Sequence, residues 1–241
     1  MLLLKLTLAP ILLWQGKRTR AQTIRLPEAA GERSGVVGTE HHVTPFRLLV
    51  IGDSSAAGVG AITQREALAH QTARSLAQQL QRPVAWQLIA QSGVNTAQAL
   101  ALFEQSKAQP ADAVLFALGV NDATSQMKAK SYIAATQQLW AAVQAKTGAQ
   151  YALFSGFPPV HDFPALPQPL RFYLGAWARW LDNALQTWTA QQGHGYCSIQ
   201  ATLGNASVGE MAGDGYHPGP RIYAAWAQQT AQIIAKRVSA L

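Results

Sequence analysis

The chain has 241 residues, with 19 Lys+Arg against 12 Asp+Glu for a formal charge of +7, and 49% of its residues are hydrophobic. That apolar share supports a sizeable core and excludes a disordered chain, and the length is that of one α/β domain. One cysteine excludes a disulfide framework and a Cys-rich zinc site. With no long Lys/Arg run and no cations interleaved with stacking aromatics, the positive charge does not describe a nucleic-acid groove.

Met1 to Trp14 is apolar except for Lys5 and Thr7. It is too short to span a bilayer, which takes about 20 residues. Lys17, Arg18 and Arg20 follow it, the reverse of a signal peptide, and favour keeping what comes next in the cytoplasm. Two readings stand: residues 1–20 make a peripheral membrane contact, or they pack on the domain. Residues 15–45, with Gly31, Gly35, Gly38, Pro27 and Pro45, read as irregular, so 1–45 is a lead-in segment to a domain over 46–241. His41 and His42 fall there, in a polar loop expected to be solvated.

From Arg47 the pattern becomes regular. Leu48 to Ile51 is a continuous apolar run ending at Gly52, a buried strand. Thr63-Gln64-Arg65-Glu66 has the spacing of a capping box and predicts a helix with Ala69, Ala73, Leu76 and Leu80 on one face. Val84–Ile89 is a second strand and Asn95–Ser106 a helix. Ala113–Leu118 is a third buried strand, ending at Gly119. Ser131 can cap a helix presenting Tyr132, Thr136, Leu139 and Val143. Tyr151–Ser155 is a fourth strand, followed by a proline-rich loop with Pro158, Pro159, Pro164, Pro167 and Pro169. Leu174, Trp177, Leu181, Leu185 and Trp188 then recur at helical spacing. Gly195–Ile199 is a weaker fifth strand, and a last helix begins near Pro218 or Pro220. Strands alternating with helices imply a five-stranded, mostly parallel sheet covered on both faces, a three-layer α/β/α sandwich.

In such sheets ligands bind beyond the carboxyl ends of the strands. Those ends carry Gly52-Asp53-Ser54-Ser55, Ser92-Gly93-Val94-Asn95, Gly119-Val120-Asn121-Asp122 and, beyond the fifth strand, Asp214-Gly215-Tyr216-His217. A Ser, a Gly, an Asn and a His thus meet on one edge. Acyl transfer needs a nucleophile, a base, an orienter for the base and donors for an oxyanion. Ser54 on a tight turn is the candidate nucleophile and His217 the base. Asp214, three residues earlier, can hold the imidazole. The N–H groups of Ser54 and Gly93 and the amide of Asn121 are candidate oxyanion donors. Asp53 is expected to accept backbone N–H bonds in the nucleophile turn, and Asp122 to cap the segment after the third strand. Cys197, in a strand and without a base, is expected to be an inert buried thiol.

These four blocks, in this order, resemble the SGNH hydrolase (GDSL-type lipase/esterase) family over residues 46–235. The resemblance implies a flavodoxin-like α/β/α fold that hydrolyses esters, thioesters and some amides without a metal, and no cofactor is expected. It implies Ser54 as nucleophile, Gly93 and Asn121 as oxyanion donors, Asp214 as orienter and His217 as base. Ser55 stands where many members carry Leu, which makes it a rival hydroxyl, and the second block lacks the fuller glycine pattern of some members. The aromatic loop after the fourth strand, with Phe157 and Phe163 as candidate substrate contacts, and the apolar N-terminus favour a lipidic or amphipathic ester. A small acetyl ester on a sugar is the alternative substrate, and acyl transfer to an acceptor other than water is also open. Two other classes compete. A phosphate-binding domain lacks a G-x-x-x-x-G-K-[ST] loop and leaves His217 and Asn121 unexplained. A catalytically silent membrane-surface or binding protein leaves the whole Ser/His/Asp set unexplained. A nucleophile elbow of the G-x-S-x-G type occurs nowhere in the chain.

Overall fold

The computed structural model describes residues 2–38, 43–200 and 210–239, with side chains from residue 8 onward. His41 and His42 lie outside the described residues. A helix, α1 (Leu2–Gln22), precedes the strand β1 (Ser34–Val37). The regular part then runs β2 (Phe46–Gly52), α2 (Leu68–Leu80), β3 (Val84–Ala90), α3 (Thr96–Gln105), β4 (Ala113–Ala117), α4 (Val120–Thr124), α5 (Ala129–Thr147), β5 (Tyr151–Ser155), α6 (Leu170–Gln192), β6 (Gly195–Cys197) and α7 (Pro220–Val238).

The strand order is β1-β3-β2-β4-β5-β6. The five strands β2 to β6 are all parallel, and their order, second-first-third-fourth-fifth, is that of flavodoxin-like folds. The sixth strand corrects the five-stranded expectation: β1 pairs antiparallel with β3 at one edge, Gly35 opposite Trp86. Two of its four residues are Ser and Gly and it is largely exposed, so it carries neither the apolar run nor the alternation that marks a strand.

The apolar runs work because successive side chains of a strand face opposite layers. In β2, Leu49 and Ile51 enter the core shared with α3, α5 and α6, while Leu48 and Val50 enter the core under α2 and α7. In β4, Val114 and Phe116 go one way and Ala113 and Leu115 the other. All five β4 residues are buried, as a central parallel strand requires. Fully burying side chains such as Leu115 or Ile51 stabilises the fold by about 1.5–3 kcal/mol each.

Besides shifts of one or two residues at the ends of β2, β3, α3 and β4, three boundaries differ from the sequence reading. Thr63–Glu66 does not cap α2. Gln64 is buried and donates to the carbonyls of Ala29 and Ala57, which holds this stretch as a turn, and the helix starts at Leu68. Ser131 does not cap α5 either, because Lys128 is already the N-cap. The fifth parallel strand ends at Cys197 rather than Ile199. By contrast, Asn95 does cap α3, in a reciprocal capping box with Gln98.

Candidate active site

In a doubly wound sheet the crevice opens where neighbouring strands send their connections to opposite sides. Here that point lies between β2, which leads to β3, and β4, which leads to β5. The turn after β2 holds Ser54, and α4, which follows β4 directly, holds Asn121.

The nucleophile turn is closely tied. Asp53 N–H donates to the Ala117 carbonyl at the end of β4 (3.1 Å), and the Asp53 and Ser54 carbonyls accept from Ala57 (2.9 Å) and Val59 (3.0 Å). Gly52 is required at the crossing, because a Cβ there would stand 2.3 Å from the Ala56 Cβ and 2.5 Å from the Ala117 oxygen. The Val59 carbonyl in turn accepts from the buried Tyr223 hydroxyl of α7 (2.7 Å). Asp53 is buried and accepts from Ser55 N–H (3.0 Å), as expected for a turn carboxylate. Burial pushes its carboxyl up to about 6, against the pull of the Ser55 amide and of His217.

Ser54 Oγ lies 2.8 Å from His217 Nε2, and His217 Nδ1 lies 2.5 Å from Asp214 Oδ2. His217 meets Ser54 and not the rival Ser55. The Asp214 side chain is 1% exposed and its other oxygen accepts from the N–H groups of Tyr216 and His217, both at 3.0 Å. Burial would raise the Asp214 carboxyl, but these hydrogen bonds, the His217 ring foremost, hold it below the usual carboxylate range. An ionised Asp214 accepts from Nδ1–H and leaves the Nε2 lone pair facing the Ser54 hydroxyl. Flanking contacts close this segment on itself: Ala212 N–H donates to the His217 carbonyl (2.8 Å) and Gly219 N–H to Glu210 (3.0 Å).

The other predicted donors converge on the same cavity. Among the described residues the backbone N–H groups of Ser54 and Gly93 have no hydrogen-bond partner. Gly93 adopts φ +84°, which L side chains rarely take, in the turn that follows β3. Asn121 Nδ2 donates to the Val94 carbonyl (2.9 Å) and has a long 3.5 Å contact with Asp53 Oδ2. Asp122 is fully buried, and it does not cap its own segment. It accepts from the N–H and hydroxyl of Thr96 and so pins the start of α3 to α4. Burial pushes its carboxyl up to about 6, although the Thr96 bonds oppose the shift.

Sequence reasoning missed the support beneath Gly93. Glu28 Oε1 accepts Ser92 N–H (2.7 Å), Glu28 pairs with Arg33, and Arg33 donates to the Ala90 carbonyl at the end of β3 (2.6 Å). Burial acts to raise the Glu28 carboxyl, but Ser92 and Arg33 outweigh it and hold it low. An acid and a base five residues apart in an irregular stretch give no signal of this.

Ser54, Gly93, Asn121 and His217 open on a mostly apolar cavity of about 1090 Å³. Its apolar wall includes Phe163, Leu166, Leu170 and Leu174, with Leu12 and Leu13 of α1. Phe163 therefore lies where a substrate contact was expected. Phe157 does not: it is buried, packed against Gly119 and edge-on to Tyr132. Cys197 is buried, and burial pushes its thiol up to about 12, which suits an inert side chain. Among the described residues no three His, Cys, Asp or Glu side chains form a group that could hold a metal ion.

A family model described as the GDSL-like Lipase/Acylhydrolase family matches residues 50–225. Solved structures share the fold. A lipase from a goat rumen metagenome superposes with a TM-score of 0.63 at 16% identity, over 78% of this chain and 98% of its own. A psychrotrophic esterase from Pseudoalteromonas sp. gives 0.60 at 18% identity, over 80% and 98%. An acetylxylan esterase from Geobacillus stearothermophilus gives 0.57 at 16% identity, over 80% and 96%. No curated protein matches the chain significantly.

Proposed function

The chain belongs to the GDSL-like lipase/acylhydrolase family, and from that premise we propose that it is a serine esterase acting on esters with an apolar acyl chain, of the lipase, esterase or lysophospholipase kind. One observation carries this reading: the 2.8 Å and 2.5 Å contacts that link Ser54, His217 and Asp214 at the polar end of a large apolar cavity. A cavity of this size and lining takes a chain of many methylenes, whereas an acetyl group would leave most of it unfilled.

In the proposed reaction His217 Nε2 takes the Ser54 proton as Oγ bonds to the ester carbonyl carbon. The carbonyl oxygen becomes an oxyanion, received by the unpartnered N–H groups of Ser54 and Gly93 and by the Asn121 amide, whose second N–H is held only by the long contact to Asp53. The imidazolium, steadied by Asp214, returns the proton to the leaving alkoxide as the carbon–oxygen bond breaks, leaving Ser54 acylated. Water then attacks the acyl carbon, His217 takes its proton, and the free acid departs as Ser54 recovers the proton.

The test is hydrolysis of p-nitrophenyl esters from acetate to palmitate by the wild type, Ser54→Ala and Ser55→Ala. Turnover that is lost only in Ser54→Ala and rises beyond acetate is expected. Preference for acetate would overturn the acyl-chain reading in favour of a small O-acetyl substrate. Full activity in Ser54→Ala would overturn the mechanism.

A further inference from the structure

Among the described residues α1 is held to the domain along one stripe. Leu8, Leu12, Gln15 and Thr19 recur at helical spacing. Leu12 and Gln15 are buried, and Leu8 packs on the same core. Gln15 uses both ends of its amide at the start of α6: Nε2 donates to the Gln168 carbonyl (2.7 Å) and Oε1 accepts from Leu170 N–H (3.1 Å). The helix is therefore a fixed part of the surface.

Among the described residues nothing covers its other side, which carries large apolar side chains. Leu13 is 65% exposed, Trp14 57%, and Ile11 and, beyond the helix, Ile24 are exposed too. The exposed cations Lys17, Arg18, Arg20 and Arg25 stand among them, and the Arg18 guanidinium lies 5.3 Å from the centre of the Trp14 ring. Residues 1–27 carry five Lys/Arg and no Asp or Glu; the first acid is Glu28. Large apolar side chains interspersed with cations, and no acid to neutralise them, match a surface that is apolar beneath and anionic above. A second copy of this face would set Lys17, Arg18, Arg20 and Arg25 against the same four cations, which disfavours self-association. Among the described residues no helix is long and apolar enough to cross a membrane, so contact along the surface is the geometry available to α1.

We propose that the outward side of α1, with the Ile24–Arg25 segment, docks this protein on an anionic lipid bilayer. The docking is independent of the reaction assigned to Ser54. Leu13, Lys17, Arg20, Ile24 and Arg25 also line the large cavity, so docking sets the cavity beside the lipid surface.

The experiment is co-sedimentation of the full chain with vesicles of phosphatidylcholine alone and of phosphatidylcholine with phosphatidylglycerol, at low and high salt. Binding to the anionic vesicles is expected, weakened by salt and much weaker on neutral vesicles. A cation near an anionic surface contributes about fivefold to partitioning, so reversing one in Arg18→Glu should weaken binding about 25-fold. Trp14→Glu should weaken it as well, by putting a carboxylate where an indole meets the headgroups. Thermal melting of both variants at the wild-type temperature would show that neither change acts through unfolding. Absence of sedimentation, equal binding to neutral vesicles, or anionic binding unchanged in both variants would overturn the proposal. So would a concentration-dependent dimer in solution that Trp14→Glu dissociates.

Discussion

Asn121 offers the sharpest separation between a group that reacts and one that merely holds the site together. Its amide is bonded to the Val94 carbonyl at 2.9 Å and only loosely to Asp53 at 3.5 Å. Asn121→Ala therefore removes one good hydrogen bond, a net loss of about 1 kcal/mol. For a chain of this size that lowers Tm by about 2–4 °C. If the second N–H receives the oxyanion, the same change also raises the barrier by about 2.7–4 kcal/mol, a fall in kcat of about 100- to 1000-fold with KM little altered. Steady-state hydrolysis of p-nitrophenyl butyrate and a thermal melt on the same preparation measure both. A kcat within threefold of wild type, beside the small fall in Tm, would refute the donor role and leave Asn121 as a tie between α4 and the turn after β3.

Glu28→Ala frees Ser92 N–H and Arg33 together, so the Gly93 turn loosens. About a tenfold fall in kcat is expected, and because Ser92 is exposed and water can replace the carboxylate, the melting temperature should barely move. Asp122→Asn tests the buried carboxyl that folding raises to about 6. Below that pH the native state binds a proton that the unfolded chain, with a pKa of about 3.9, still lacks, so the carboxyl destabilises the fold above about pH 6 and the penalty fades towards pH 4. Wild-type Tm minus Asp122→Asn Tm should accordingly rise as pH falls from 7 to 4, by the equivalent of about 2–3 kcal/mol; a constant difference would refute the shift. Phe157→Ala and Phe163→Ala, both buried in the same core, should each cost about 3–5 kcal/mol of stability, and Phe163→Ala, on the cavity wall, should in addition raise KM for long acyl chains in the ester series.

The parallel core was legible because its signals are local and redundant. The runs 48–51, 113–118 and 151–155 are too short for helices and too apolar for anything but buried strands, and each proves to be one, the second ending a residue early at Ala117. β1 was not legible: an exposed four-residue edge strand of Ser, Gly and Val is specified by the free edge of β3 and not by its own residues. The capping-box pattern at 63–66 misled for a related reason. A buried Gln64 satisfying two distant carbonyls outweighs a local preference of about 1 kcal/mol.

The site divides in the same way. Ser54, Asn121 and His217 could be gathered from the sequence because each follows a legible strand or precedes a legible helix, and the winding rule of the sheet brings such ends together. Glu28, Arg33 and α1 follow no such rule. Pro10 and Gly16 each disfavour a helix, by about 3 and 1 kcal/mol in a helix interior. Apolar residues also run through 1–14 without a single periodic stripe, so nothing in the segment announced α1. The anchoring of Leu12 and Gln15 on the start of α6 supplies what propensity lacks. That same anchoring places α1 against the cavity, so the least legible helix of the chain forms part of the wall around its most legible residues.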